Sequence, residues 1–321
     1  MRNMSLEIIG AESLGVRSLC CRVTLPDRCI VIDPGVALGY VRYGLLPHPE
    51  QIAVGRRIRE RILNALADAT DVVFSHFHGD HVPLVEANPY QLSVHSLPRT
   101  FQELRVWSKS GDDLTGKIHK RFQDMVDLLG TNMQSAEGRA AGRLSFSRSV
   151  PHGATDSNMG SVMMTRVAME DAVFVHASDI QLLDDPTVDQ VIDWRPDIVL
   201  AAGPPIYLDR LSNAERETAW RNAVRLAQHV EVVILDHHLM RSREGAGWLE
   251  ALSKTVGKQV YCAADYMRQP RRLLEAERQQ WYQKIPVREG WHDEYAQGKV
   301  DVDRYLDQVR RRGSQASGSP D

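Results

Sequence analysis

FSHFHGDHVPL, residues 74–84, carries His76, His78, Asp80 and His81 within six positions. The residues leading into it, DVVF, read as a short apolar strand. His76 and His78 therefore sit two apart at the strand's end, and alternation turns both side chains the same way. Gly79 permits a sharp turn, which lets Asp80 and His81 converge on the same space. Imidazole suits zinc, iron, nickel and copper, and carboxylate adds a harder ligand, so the two pairs can serve two neighbouring metal ions. A histidine-rich surface loop is the plain alternative, and residues downstream argue against it.

Each of those residues follows an apolar strand. Asp33 follows CIVI in IDPG, and His152 follows RLSFSRSV in VPHG. Asp179 follows AVFVH in ASD, and His237 and His238 follow EVVIL in LDHH. Ligands just past strand ends gather at one edge of a sheet, where loops form sites. Singly, each is better read as an ordinary loop residue. Together, in this order, they read as a metal-binding set.

The rest of the chain sets bounds. Its 321 residues are 43% hydrophobic and 25% charged, with a net charge of -3. That length allows one large domain or two small ones and buries a core without staples. The charge argues against a wholesale nucleic-acid coat and leaves room for a local basic patch. Cys20, Cys21, Cys29 and Cys262 lie in or beside apolar runs with no CxxC pair. They read as reduced core residues of a cytoplasmic protein. MRNMSLEIIG has no long apolar core of a signal peptide, and no apolar run is long enough to span a bilayer. The expected location is the cytoplasm, with no membrane partner.

Short apolar runs alternate with helical stretches. LEIIG (6–10), SLCCRVTL (18–25) and RCIVIDPG (28–35) read as strands. Ile58, Ile62, Leu63 and Leu66 recur at helical spacing within 50–69. The interleaved Arg56, Arg57, Arg59 and Arg61 are better read as a solvated face than as phosphate contacts. Residues 96–142 are polar and weakly helical and look like an insertion beside the site. Strands return at 143–150, 161–168, 172–179, 197–203 and 230–236, with a helix over roughly 212–229 and a last strand near 258–262. The chain beyond is helical, and 313–321 reads as a disordered tail. Trp107 and Trp220 read as packing residues. Two sheets sandwiched by helices suit this order.

The set of IDPG, HFHGDH, a lone His, a lone Asp and a late His, spanning 33–238, resembles the metallo-β-lactamase fold superfamily. The start, IIGAESLGVRS…VIDPGVALGY…LPHPEQIAVG, is also similar to a mostly archaeal, uncharacterised group of predicted metal-dependent hydrolases, a resemblance that brings no substrate. It implies an α/β fold, an αββα sandwich of two mixed sheets flanked by helices. The domain would cover 1–265, with the insertion near 96–142, and a helical extension would follow over 266–312.

The resemblance also implies a site. His76, His78 and His152 would hold a first metal. Asp80, His81 and a late histidine would hold a second, and Asp179 would bridge the two. Asp33 would orient the motif loop from behind the ligands. LDHH offers two late histidines. His237, nearer the strand end, is favoured as the ligand. Alternation would point His238 elsewhere, toward substrate or behind a ligand, and Asp236 could orient either ring. The implied cofactor is two divalent transition-metal ions, zinc first, with iron or manganese as alternatives. A hydroxide shared by the metals would attack a phosphoester or an acyl centre such as a lactone or thioester. Asp80, Asp179 and His238 would be the catalytic groups, with His95, His119 and His176 as further proton-donor candidates. Alternatives are an iron-dependent oxidoreductase or dioxygenase on the same fold, and a nuclease acting on RNA or DNA. Diiron reductases of this fold usually carry a carboxylate where His78 stands, and 96–142 is short for a nuclease's extra domain. A scaffold with a dead site fits poorly with so complete a ligand set. A homo-oligomer stays open.

Overall fold

The computed structural model describes residues 4–154 and 160–308, so the tail expected at 313–321 lies outside the described residues. Twelve of the strands make two six-stranded sheets. In the first, β1 (Ser5–Ile8), β2 (Cys21–Thr24) and β3 (Cys29–Ile32) form an antiparallel meander. Next come β4 (Asp71–Phe74), β5 (Arg105–Ser108) and β6 (Met133–Ser135), all parallel to β3. The second sheet contains β7 (Ala140–Ala141), β8 (Leu144–Phe146), β11 (Thr165–Ala168), β12 (Val173–Ser178), β13 (Ile198–Ala201) and β14 (Val232–Leu235). Its order is β14-β13-β12-β11-β8-β7, with β12, β13 and β14 parallel and the rest antiparallel. Between β8 and β11 a small ribbon pairs β9 (Val150–Pro151) with β10 (Ser161–Val162).

The strand period divides the core. Ile30, Ile32 and Val73 face inward and pack with Phe146, Val167 and Phe174 of the second sheet. The alternating residues Val31, Val72 and Phe74 face outward. They meet Ile58, Ile62 and Leu66 of α1 (Pro49–Ala67) and Met125 and Leu129 of α2 (Gly116–Leu129). Burial on both faces is why CIVI and DVVF are continuous apolar runs rather than alternating ones. On the second sheet lie α3 (Asp185–Asp193), α4 (Asn213–His229) and α5 (Arg243–Val256), through Val188, Ala223, Leu226 and Leu249. The result is the αββα sandwich. Helix starts are locally encoded: Pro49 opens α1, and Ser212 and Glu215 cap α4 reciprocally.

Two segments differ from the sequence reading. Residues 96–142 are built into the sandwich, supplying β5 and β6 to the first sheet, α2 against it, and β7 to the edge of the second. The strand expected near 258–262 is a single bridge, Tyr261 to Ile234. Gly257 ends α5 in the left-handed region, and Cys262 already caps α6 (Ala263–Tyr266), so too few residues remain for a ladder. The C-terminal part carries α7 (Arg278–Lys284) and α8 (Trp291–Ala296), and Trp291, Val302 and Leu306 join the core on the α1 side.

Candidate metal centre

The ends of β3, β4, β12 and β14 bring Asp33, His76, His78, Asp80, His81, Asp179, His237 and His238 together, and the turn after β9 adds His152. Asp33 stands in the left-handed region at φ 49°, a conformation that short polar side chains tolerate. Its carboxylate accepts from the Ser75 N–H at 2.8 Å, the Ser75 hydroxyl at 2.5 Å and His81 Nδ1 at 2.9 Å. Burial opposes charge on His81, but Asp179 and Asp33 hold its pKa well above the usual value; with the Nδ1 proton kept by Asp33, a bound metal would take the place of the other proton at Nε2. The Ser75 hydroxyl is spent on Asp33, so at 2.9 Å from His76 Nδ1 it acts as acceptor, which leaves His76 Nε2 bare. Gly35 lies under this loop. Its N–H donates to His81 O at 3.0 Å, and a Cβ there would stand 2.2 Å from Val82 N. Only glycine fits so close a backbone approach.

On the second sheet, the β12–β13 register shifts between His176 and Ser178, and Ser178 has φ 56°. This bulge re-aims the following residue, Asp179, into the cluster. Asp179 Oδ2 lies 3.2 Å from His152 Nε2, 3.3 Å from His81 Nε2 and 3.3 Å from His238 Nε2. His76 Nε2 and His237 Nε2 are each 3.7 Å from the same oxygen. His237 Nε2 is also 3.3 Å from Asp80 Oδ2. The Gln181 amide sits 3.3 Å from Nδ1 of both His152 and His238. The amide nitrogen, Nε2, makes these contacts as placed; an amide turned end for end would instead accept from both Nδ1–H groups and leave both Nε2 atoms free for metal.

Alternation does not separate His237 from His238. Both rings enter the site, with centroids 4.8 Å apart and planes at 34°. The strand rule fails because β14 stops at Leu235, and His238 is already helical at φ -86°, ψ -38°. Asp236 orients neither ring. It points away, accepting from the Ser13 N–H and hydroxyl and from the Ala263 N–H. The other proton-donor candidates lie elsewhere: His95 and His119 are exposed, and His176 is buried, its Nε2–H donating to Leu19 O at 2.9 Å. Trp107 bonds Asp71 and Trp220 packs edge-on against Trp248, as packing residues do.

The donor set fits divalent metal. His76 Nε2, His81 Nε2 and Asp179 Oδ1 are buried with no hydrogen-bond partner. Such atoms cost about 1–3 kcal/mol each unless something satisfies them. Ligand atoms of His76, His78, His152 and Asp179 lie within 4.8 Å of one another, as do those of Asp80, His81 and His237, and of Asp179, His237 and His238. Burial, with His81 and His78 nearby, pushes His76 well below its usual value, and burial with His152 pushes His78 down to about 4. Burial opposes ionisation of Asp179, but the surrounding imidazoles, His81 foremost, hold its pKa well below the usual carboxylate range. Neutral imidazole beside ionised carboxylate is the state metal ligation requires. His78 and Asp80 are half-buried while the other ligand candidates are buried, so the cluster opens to solvent on their side.

Ser75, Ser178, Gln181 and Arg241 also belong to the site and escape sequence reading. The serines directly precede His76 and Asp179, a signal in hindsight. Gln181 and Arg241 carry none.

No family model matches the chain. A UPF0282 protein of Methanosarcina mazei is 45% identical over 94% of this chain and 100% of its own length. This chain belongs to the UPF0282 family. A second UPF0282 protein, from Methanopyrus kandleri, is 32% identical over 84% of this chain and 96% of its own. A solved structure, described as a metal-dependent hydrolase of the β-lactamase superfamily, matches with TM-score 0.50. It is 14% identical and covers 81% of this chain and 96% of its own. The UPF0282 sandwich is therefore a metallo-β-lactamase fold, with histidine–aspartate clusters at its edge able to hold metal. No helix among the described residues is long and apolar enough to cross a membrane.

Proposed function

We propose that this UPF0282 chain is a hydrolase built on two divalent metal ions, with zinc as the first choice. The observation that carries the reading is one carboxylate oxygen, Asp179 Oδ2, within 3.7 Å of five imidazole nitrogens on two sheets. His76, His78 and His152 would hold one ion. Asp80, His81 and His237 would hold the other, with Asp179 between them. His237 is the late histidine that groups with Asp80 and His81, and His238 does not. Two bound ions supply a water acidified toward neutrality and positive charge for a developing oxyanion.

The protein's own groups do the rest. Asp33 fixes His81 through Nδ1, and Ser75 does the same for His76. Asp80, on the open side, is placed to take a proton from the attacking water. His238 would return one to the leaving group. Phosphoesters rank slightly ahead of lactones and thioesters as substrates.

Elemental analysis of zinc-loaded protein should give about two metals per chain, as that site class implies. A screen should then show hydrolysis of a phosphodiester, a lactone or a thioester. Folded protein with no bound metal, or a loaded protein inert toward all three, would overturn the reading.

A further inference from the structure

Arg241 reaches into the cluster from the short turn after LDHH. It is 8% exposed. Its Nε pairs with Glu12 at 3.3 Å and its Nη1 donates to the Tyr207 hydroxyl at 3.4 Å, so two partners fix the guanidinium. The remaining nitrogen, Nη2, lies 3.0 Å from His237 Nε2. That contact competes with metal, because Nε2 has one lone pair. When His237 ligates an ion, Nη2 keeps its proton, loses its acceptor and stays buried beside the ion. A buried, charged donor in that position calls for an oxygen acceptor.

A second cation points the same way. Arg42 lies over the rings of both Tyr43 and Tyr207, at 4.9 and 4.8 Å from their centroids. Its Nε is buried with no hydrogen-bond partner. The tight turn in which Arg42 and Leu45 exchange both backbone hydrogen bonds, at 3.0 and 2.9 Å, holds it in place. Tyr207 thus touches both arginines. Tyr40, Val41 and Tyr43 of the same loop are exposed, an apolar lip beside the two cations.

We propose that Arg241 and Arg42, joined through Tyr207, form an anion subsite on the His237 side of the metal cluster. The substrate then presents anionic oxygens there, from a phosphoester or from a carboxylate on an acyl compound. This inference rests on the hydrolase reading for its metal. Arg241 supplies the N–H groups of Nη2, its remaining nitrogen, and Arg42 supplies a longer-range charge at the mouth.

The test uses the zinc-loaded full chain with inorganic phosphate and acetate as probes, measured by calorimetry, and metal content measured alongside. Arg241→Gln should weaken phosphate binding about tenfold or more, what loss of a charge-assisted hydrogen bond entails, while zinc content matches wild type. Arg42→Gln should weaken it severalfold, and Arg241→Lys should fall between wild type and Arg241→Gln. A larger loss for phosphate than for acetate supports a phosphoester, and the reverse supports a carboxylate-bearing acyl substrate. Phosphate affinity within twofold of wild type in both glutamine variants, with zinc retained, overturns the subsite. Should Arg241→Gln shed zinc, Arg42→Gln and Tyr207→Phe decide alone, and unchanged phosphate affinity in both overturns it. Arginine-dependent phosphate binding without hydrolysis of any ester would overturn the hydrolase reading and leave the subsite standing.

Discussion

Asp179 meets five imidazoles because a single bulge in β12 turns it off the strand axis, and no other carboxylate on the second sheet enters the described cluster. Its removal should therefore reach both halves of the site. Asp179→Ala is expected to lower zinc content at both positions, whereas His152→Ala should loosen one. Equal zinc retention by wild type and Asp179→Ala would refute the bridging role. The two late histidines differ more subtly, since both rings enter the site. His237→Ala should release the ion shared with Asp80 and His81. His238→Ala should keep metal and slow turnover roughly a hundredfold, the usual cost of a lost proton donor. Metal analysis beside steady-state rates separates these outcomes, and full metal with full activity in both variants would exclude any division of labour. At this scale the sequence shows His76, His78, Asp80 and His81 plainly, because adjacent spacing at a strand end fixes where they go. It does not show that His238 joins them, because that depends on where β14 stops. It does not show Arg241 either, because a lone arginine in a turn has no pattern to betray it.

Strand ends position the site, and the buried polar group at the far end of β4 anchors that strand. Asp71 opens β4 with its side chain fully buried. It accepts from Arg28 Nε at 3.1 Å, Trp107 Nε1 at 2.9 Å, Thr70 Oγ1 at 2.6 Å and Arg105 at 3.1 Å, tying β3, β4 and β5 together. Burial opposes its ionisation, but hydrogen bonds from Arg28, Thr70 and Trp107 outweigh that and hold its pKa below the usual carboxylate value. A depressed carboxylate stabilises the fold above its unfolded pKa and loses that contribution as pH falls through the folded value. Asp71→Asn should therefore cost about 3–5 kcal/mol near neutrality, the usual result of breaking a buried pair, and should flatten the acid limb of the stability curve. Urea unfolding between roughly pH 2 and 7 checks both, and an unchanged acid slope would show that the carboxylate carries no such linkage. The runs CIVI and DVVF are legible as strands because both faces are buried. By contrast, β5 and β6 hide in 96–142: RVWS mixes an exposed arginine with a half-buried tryptophan, and QS of β6 is exposed at the sheet edge. An edge strand such as β6 owes its existence to its neighbour's open hydrogen bonds, which local composition does not reveal.

Across the whole molecule, the C-terminal part reaches back to the loop that carries Arg42. Arg278 is fully buried, and its guanidinium donates to Gly39 O at 2.7 Å, Leu45 O at 2.9 Å and Gln51 Oε1 at 3.0 Å. Tyr282 donates to Leu46 O at 3.2 Å, and His48 Nε2–H donates to Ile285 O at 2.9 Å. Glu275, three residues before Arg278, forms an ion pair with Arg17 on the other side of the same loop. Side chains some 230 positions along the chain thus bond backbone carbonyls of 39–46, adding to the local Arg42–Leu45 pair. The arginine-rich face of α1 is drawn into the same contact: Arg56 pairs with Asp301 and Asp303, so it is spent on the chain itself rather than left for phosphate. Burial lowers the Arg278 pKa, yet a guanidinium stays charged at any pH the fold survives, so the clamp should not switch with pH. Arg278→Met keeps most of the apolar stem and removes the donors. It should leave zinc content unchanged, because no ligand candidate touches Arg278, while speeding amide exchange across 39–47. Losing two or three buried hydrogen bonds at about 1 kcal/mol each lowers a local opening energy enough for tenfold or faster exchange. Exchange in 39–47 equal to wild type would show that the loop holds its shape without the C-terminal part. Faster exchange confined to that loop, with the metal edge still protected, would show two separately anchored parts: a rigid strand-end cluster and a binding loop tied down from the far end of the sequence.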